Sequence, residues 1–201
     1  MPIALIRPAK LVVRPLTPER WPDLETLFEA RGCSVARGCW CMHYRVRGQG
    51  AYGSTAEQRA HSKAALQSLA AHDPPPGLLG YRGKTPVGWI SLGPRQDYVR
   101  LAHSPAMKPV DDQPVWSIVC FVVPSEFRGQ GVARDLLAGA VRYAARRGVR
   151  LLEAYPVDDS VSGTPHAPWL GYQRMFDAAG FEEVARRKPG RPVMRLQLAC
   201  G

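Results

Sequence analysis

Apolar positions along this chain recur at two periods, and the switches between them mark out its elements. Leu11-Val12-Val13-Arg14-Pro15-Leu16 reads as a first strand. Thr17-Pro18-Glu19 then offers an N-cap, a proline at the first helical position and a first-turn acid, which predicts a helix starting there. Trp21, Leu24, Leu27 and Phe28 give that helix its apolar face, and the pattern runs out before Gly32. From Arg31 to Gly53 no period holds, so an irregular or partly helical excursion is expected. Ser54-Thr55-Ala56-Glu57 reads as a capping box opening an alanine-rich helix to Ala71, which Asp73-Pro74-Pro75-Pro76-Gly77 ends.

Strands are predicted at 77–81 and 86–92, turned by Arg82-Gly83-Lys84-Thr85. Gly93 to Pro114 is polar and far longer than the common loop of roughly 4–6 residues, which marks it as functional or mobile. Val115 to Val123 is nearly all apolar, as a strand covered on both faces would be. A glycine-containing turn follows, then a helix with Val132, Leu136, Leu137, Ala140, Val141 and Ala144 on one face and Gly148 at its C′ position. Val149 to Tyr155 is the next buried strand. Near the end come a short helix over 169–179 closed by Gly180, a strand over 181–185, and a half-exposed strand over 193–198 placed near the sheet edge, where Met194, Leu196 and Leu198 alternate against solvent-facing Arg195 and Gln197. The order predicts an α/β (α+β) fold.

With 201 residues, 45% hydrophobic and 22% charged, the chain is long enough for one sizeable core, so residues 1–201 are read as a single domain. No apolar run approaches the roughly 18 residues that span a bilayer, and Pro2 to Ile6 is too short for a signal core. A soluble, cytoplasmic protein with no membrane partner is expected. The net charge of +10 favours acidic partners such as phosphate-bearing cofactors, nucleic acid or a membrane surface. The basic residues are scattered and no nucleic-acid motif appears, so nucleic acid is not the expected partner. Five cysteines, an odd number in a chain this size, are read as reduced thiols.

Arg128-Gly129-Gln130-Gly131-Val132-Ala133 lies between the buried strand and the helix. Glycine allows a tight fold against a ligand, and the first N–H groups of a helix point outward with the positive end of its dipole behind them, so a diphosphate suits this place. A Walker loop would need Gly-Lys-Ser/Thr, which is absent. A dinucleotide fingerprint would need a small residue where Arg134 stands, although Glu153 lies at about the right distance for a ribose-binding acid. The segment resembles the Arg/Gln-x-x-Gly-x-Gly/Ala signature of the GNAT N-acetyltransferase superfamily, and Met175-Phe176-Asp177-Ala178-Ala179-Gly180-Phe181 is similar to that superfamily's aromatic-x-x-x-Gly-Phe ending.

That resemblance implies a central, mostly antiparallel mixed sheet flanked by helices and splayed between the strands near 115–123 and 149–155. It implies acetyl-CoA as co-substrate, held by Phe121, Val122 and Val123 along the strand, by Arg128, Gly129, Gln130, Gly131, Val132 and Ala133 at the turn, and by Phe176. The implied reaction is direct attack of an amine on the thioester in a ternary complex, with a backbone N–H near Val122 or Val123 polarising the carbonyl. Many members place a proton-donating tyrosine where Phe176 stands; Tyr172 is the nearest replacement, and a water or no acid at all would also serve. Glu153, Asp112 and His103 are candidate bases acting through water, each with a plainer reading as ion pair, turn residue or surface imidazole.

Cys39, Cys41 and His43 alternate, so an extended segment would aim them to one side, but the second ligand pair of a zinc site is missing and no metal is expected. By the resemblance, Cys39, Trp40, Cys41, Met42 and His43 border the acceptor, with 31–53 and 93–114 as acceptor-side loops. The acceptor is read as a small-molecule amine, with a protein lysine as the alternative. Asp97, Asp111, Asp112, Asp158 and Asp159 are positioned to make an acidic mouth. A non-catalytic acyl-CoA-binding regulator and a basic nucleic-acid-binding module are the readings from other classes. A monomer or homodimer is expected.

Overall fold

The apolar run at 115–123 becomes β4 (Trp116–Val122), near the middle of a seven-stranded mixed sheet. The computed structural model describes residues 10–47, 53, 55–162 and 167–199; Ser54, Cys200 and the Pro2–Ile6 stretch lie outside the described residues. In spatial order the strands are β1 (Val12–Pro15), β2 (Gly77–Arg82), β3 (Thr85–Pro94), β4, β5 (Leu151–Ala154), β7 (Arg191–Gln197) and β6 (Glu182–Lys188). Neighbours are antiparallel except β4 and β5, which are parallel and therefore need the crossover that α4 (Val132–Arg146) supplies.

The two sheet faces carry different covers. Leu136, Leu137, Ala140 and Ala144 of α4 pack on Ile90, Ile118, Phe121 and Leu152, joined by Phe176 of α5 (Gln173–Asp177). On the opposite face, Leu24, Leu27 and Phe28 of α1 (Trp21–Glu29) pack on Leu79, Trp89 and Val122, together with Ala36 of α2 (Ser34–Cys39) and Leu66 of α3 (Ala56–Leu69). The rest of that face is covered by the 93–114 segment, whose Tyr98, Leu101, Ala106 and Met107 are buried against Val119, Tyr155 and Val193. The segment expected to be a polar loop is thus a packed cover, after a β3 that continues to Pro94.

Several elements differ from the sequence expectation for identifiable reasons. In an α-helix starting at Pro18 the Pro18 C=O would need the N–H of Pro22, and proline has none; the chain makes a 3-10 turn at Pro18–Arg20, with Trp21 N–H bonded to Pro18 C=O, before α1 begins. The capping box of α3 is Thr55 with Gln58, one residue later than predicted, with both reciprocal bonds present at 3.1 and 3.2 Å. The helix expected over 169–179 is broken by Gly171 at φ +76, leaving a 3-10 turn at Pro168–Leu170 and a five-residue α5. The last strand, expected near the edge, is inside the sheet between β5 and β6. Its Arg195 looked solvent-facing but is only 8% exposed because two carboxylates hold it. The outer edge is instead the charge-rich β6, as edge strands commonly are.

Candidate active site

The site is built where β4 leaves its neighbour. Only Trp116, Ser117 and Ile118 pair with β5, opposite Leu152, Glu153 and Ala154; from Val119 onward β4 is laddered to β3 alone. The β3–β4 register also slips there, with Ser91 opposite Cys120 and Leu92 opposite Ile118. Val119 is the extra residue, a bulge that turns both Val119 and Cys120 toward the α1 face, whereas Ile118 and Phe121 lie in the α4-side cluster. The strands thus part in a V whose β4 edge carries unpaired backbone groups.

At the open end of the V lies the glycine turn. After β4 come a 3-10 turn at Ser125–Phe127, then Gly129 at φ +72 and Gly131 at φ +77, and α4 starts at Val132. Those angles belong to the left-handed region that glycine tolerates, and a Cβ on Gly131 would lie 2.9 Å from Nη2 of Arg134. The leading N–H groups of the fifteen-residue α4 have no intrahelical acceptor and open toward solvent beside exposed Arg128 and Gln130. Two residues brace the turn. Arg128 donates from Nε to Val123 C=O at 3.0 Å and from Nη2 to Gly32 C=O at 2.6 Å. Gln130 donates to Glu126 C=O at 2.7 Å and accepts from Arg82. Ser125 N–H, bonded to Arg31 C=O at 2.9 Å, fixes the turn to the α1–α2 connection. The cradle is therefore shaped in advance.

Phe121 lies in the wall of the V with its ring 6.1 Å from Phe176, which also meets Phe181 at 5.2 Å. Phe176 is completely buried. Tyr172 is not one helical turn before Phe176 on a common helix: it is the extended N-cap residue of α5, bridged to Val157, with the Arg174 guanidinium 5.3 Å from its ring centre.

The candidate bases are dispersed. Glu153 is fully buried on β5: Oε1 accepts from the Tyr155 hydroxyl at 2.6 Å and lies 3.2 Å from Arg95, while Oε2 accepts from Arg195 at 2.8 Å. Ser117 Oγ and the Tyr155 hydroxyl are 3.0 Å apart, which extends the network to β4. Burial, followed by the Glu153 charge, holds the Tyr155 phenol far above its ordinary range. Asp112 is exposed and, with Asp111, lines a groove of about 950 Å³ at the end of the sheet where β4 and β5 begin, away from the glycine turn. His103 is exposed at the end of a 3-10 turn. The expected acidic mouth is not formed by free carboxylates, since Asp97, Asp111, Asp158 and Asp159 each pair with an arginine: Arg45, Arg195, Arg186 and Arg174.

The cysteine segment is not extended. Cys39 ends α2, and Trp40 and Cys41 adopt left-handed φ of 46° and 53°, which destroys the alternation with His43. Among the described residues no group of three or more His, Cys, Asp or Glu is placed to hold a metal. Cys39, Trp40, Cys41 and Met42 are buried; Trp40 stacks on Trp21 at 5.8 Å and tilts against Phe28 at 5.2 Å. Burial, then neighbouring Cys41, pushes the Cys39 thiol up to about 12. His43 is half-buried beside Tyr44, with Arg100 3.4 Å from Nδ1, and burial followed by that charge lowers its pKa. Tyr44 also packs on this face, with Arg100 N–H bonded to its C=O at 3.1 Å and the charges of Arg191 and Arg100 acting on its phenol. Tyr44 follows the cysteine motif directly, whereas nothing in the sequence pattern marks Arg100 or Arg191.

Similarity to known proteins agrees with this geometry. The family model described as "Acetyltransferase (GNAT) family" matches residues 41–162. Among curated proteins none matches the chain. Solved structures do. An acetyltransferase from Thermus thermophilus is 20% identical, with TM-score 0.53 over 96% of this chain and 100% of that one. The PaiA N-acetyltransferase from Thermoplasma acidophilum, in complex with coenzyme A, is 16% identical, with TM-score 0.51 over 93% and 98%. YncA from Salmonella typhimurium, solved with acetyl-CoA, is 15% identical, with TM-score 0.51 over 94% and 95%. At these identities the likenesses establish the fold. No helix among the described residues is long and apolar enough to cross a membrane.

Proposed function

Since this chain belongs to the acetyltransferase (GNAT) family, we propose that it transfers an acetyl group from acetyl-CoA to the amine of a small molecule, within one ternary complex. One observation carries the reading: the strand that parts from its neighbour after three residue pairs leads, through one 3-10 turn, into a glycine turn with two left-handed residues and a helix start. The backbone N–H groups from Gly129 to Ala133 would receive the pyrophosphate, with exposed Arg128 and Arg134 adding positive field. The edge of β4 that β5 leaves free at Phe121 and Val122, with Val123 just beyond it, would hold the pantetheine arm as a neighbouring strand does. The family resemblance and the complexes of two neighbours with CoA or acetyl-CoA support the choice of cofactor.

Bound there, acetyl-CoA supplies an activated thioester. The amine nitrogen adds to the thioester carbon, the C–S bond breaks, and the departing thiolate takes up a proton. The unpaired β4 edge is well placed to donate a backbone N–H to the carbonyl oxygen, which requires no side chain. Water serves as base and acid more readily than the named carboxylates, because Glu153 is already held by two guanidiniums and a phenol, and fully buried Phe176 offers no proton. Tyr172, the N-cap residue of α5, stays the side-chain candidate for the acid. The described parts of 31–53 and the 93–114 segment, both on the α1 face, would flank the acceptor, with Cys39 to His43 shaping one wall.

The test is release of free thiol from acetyl-CoA with a panel of small amines and lysine peptides. Intersecting initial-velocity lines with a small amine support the reading. Parallel lines contradict the ternary complex, turnover on peptides alone supports the protein-lysine alternative, and binding without turnover supports the non-catalytic regulator.

A further inference from the structure

Arg191 opens β7 and shares its strand face with Val193 and Arg195. Val193 is buried with Val119 and Tyr155, and Arg195 reaches Glu153, so this row faces the α1 side of the sheet, opposite α4. Arg195 is fully engaged by carboxylates. Arg191 is not: its Nε and Nη2 are out of solvent contact and have no hydrogen-bond partner among the described residues. Buried guanidinium donors are ordinarily satisfied. Arg95 also leaves both Nη nitrogens without a hydrogen bond but has the Glu153 carboxylate 3.2 Å away, whereas Arg191 has no ion-pair partner among the described residues, which points to an acceptor brought from outside.

The surroundings agree on the sign of that acceptor. Tyr44 packs against the same cluster as Val119, Tyr155 and Val193. Arg100 fixes the segment around it, donating from its backbone N–H to Tyr44 C=O at 3.1 Å and from Nε to Val46 C=O at 3.0 Å. Burial holds the Tyr44 phenol up to about 12, so it stays a donor, and the charges that act on it in opposition are those of Arg191 and Arg100. The loop carboxylate of Asp158, whose N–H bonds Gly190 C=O next to Arg191, is taken by Arg186, and those of Asp97 and Asp111 are likewise taken by Arg45 and Arg195. Arg191 is also on the wrong strand and face for the diphosphate cradle, because β5 stands between β7 and β4.

We infer that the acceptor is an amine that carries its own anion, a carboxylate or phosphate whose paired oxygens are received by Arg191, and not a polyamine. A guanidinium presents donors in a fixed fork that matches such a group. The inference rests on the acetyltransferase reading above and narrows its substrate class.

Matched amines test it: ornithine against putrescine, and phosphoethanolamine against ethanolamine, in the thiol-release assay, with acetyl-CoA affinity measured separately by calorimetry. In the wild type the anionic member of at least one pair has the higher kcat/KM by about 10–100-fold, the worth of a charged hydrogen bond; which pair shows it separates carboxylate from phosphate. Arg191→Gln brings the two members to parity and leaves acetyl-CoA affinity unchanged, and Arg191→Lys restores part of the preference. The inference is overturned if the cationic or neutral members are equally good, if no anionic amine is turned over by protein that binds acetyl-CoA, or if Arg191→Gln depresses both members in parallel. A protein that fails to bind acetyl-CoA at all refutes the underlying acetyltransferase reading instead.

Discussion

Glu153→Gln separates a structural role for this carboxylate from a catalytic one. The side chain is fully buried, accepts from Tyr155 at 2.6 Å and Arg195 at 2.8 Å, and lies 3.2 Å from Arg95. Glutamine keeps the volume but removes the charge, and its amide N–H₂ must face one of the donors. Arg195 retains Asp111, while Arg95 loses its ion-pair partner. Breaking a buried ion pair from one side costs about 3–5 kcal/mol. For a chain of this size each kcal/mol moves Tm by roughly 2–4 °C, so a fall of about 6–20 °C is expected in a thermal melt. Thiol release measured well below that Tm should stay within a few-fold of wild type. A general base contributes typically about 100–10,000-fold. A variant with unchanged Tm and activity reduced on that scale would refute the structural assignment and make Glu153 the base.

Acid should unmask the other end of the same network. The Arg195 hydrogen bond lowers the Asp111 carboxyl to about 2 from 3.8, so its contribution is present above the ordinary carboxylate pKa and is lost as pH falls through the folded value. Urea midpoints between pH 5 and 2 should show that loss, and Asp111→Asn should lower the midpoint at pH 5 while flattening the decline; an unchanged pH profile contradicts it. Phe28→Ala removes a fully buried ring that meets Trp40 and Trp89 in the α1-side core, and should cost about 3–5 kcal/mol in urea denaturation. A loss below about 1 kcal/mol would mean that this cluster re-collapses around the gap.

The parts of the fold that rest on local periodicity were legible in the chain. The spacing of Val132, Leu136, Leu137, Ala140 and Ala144 found α4 and its buried face, and the apolar run at 115–123 found the doubly covered β4. The glycine turn was legible because φ > 0 and close backbone approach leave a direct mark in residue type. What failed depended on long-range partners. Arg195 read as exposed until Glu153 and Asp111, 42 and 84 positions away, were seen to neutralise it. Gly171 read as part of a helix because its break depends on how Met175, Phe176 and Phe121 crowd that turn. The alternation of Cys39, Cys41 and His43 would have aimed them to one side only if the segment were extended; it lies at the end of the partly helical excursion, and two left-handed residues in tight aromatic packing break the alternation. For Arg191 the informative fact is that two of its nitrogens find no partner among the described residues, which no single sequence displays.

The central claim is that the glycine turn at the end of a parted strand receives the diphosphate of acetyl-CoA. Calorimetric titration of acetyl-CoA into the wild type and Gly131→Val tests it most directly, with a thermal melt confirming that both are folded. A valine at φ +77, with its Cβ 2.9 Å from Arg134, distorts the cradle without touching the core of α4. One site per chain in the wild type, weakened about tenfold or more in the variant, is the predicted result. Equal affinity in the two proteins, or no binding to the wild type, would contradict the account.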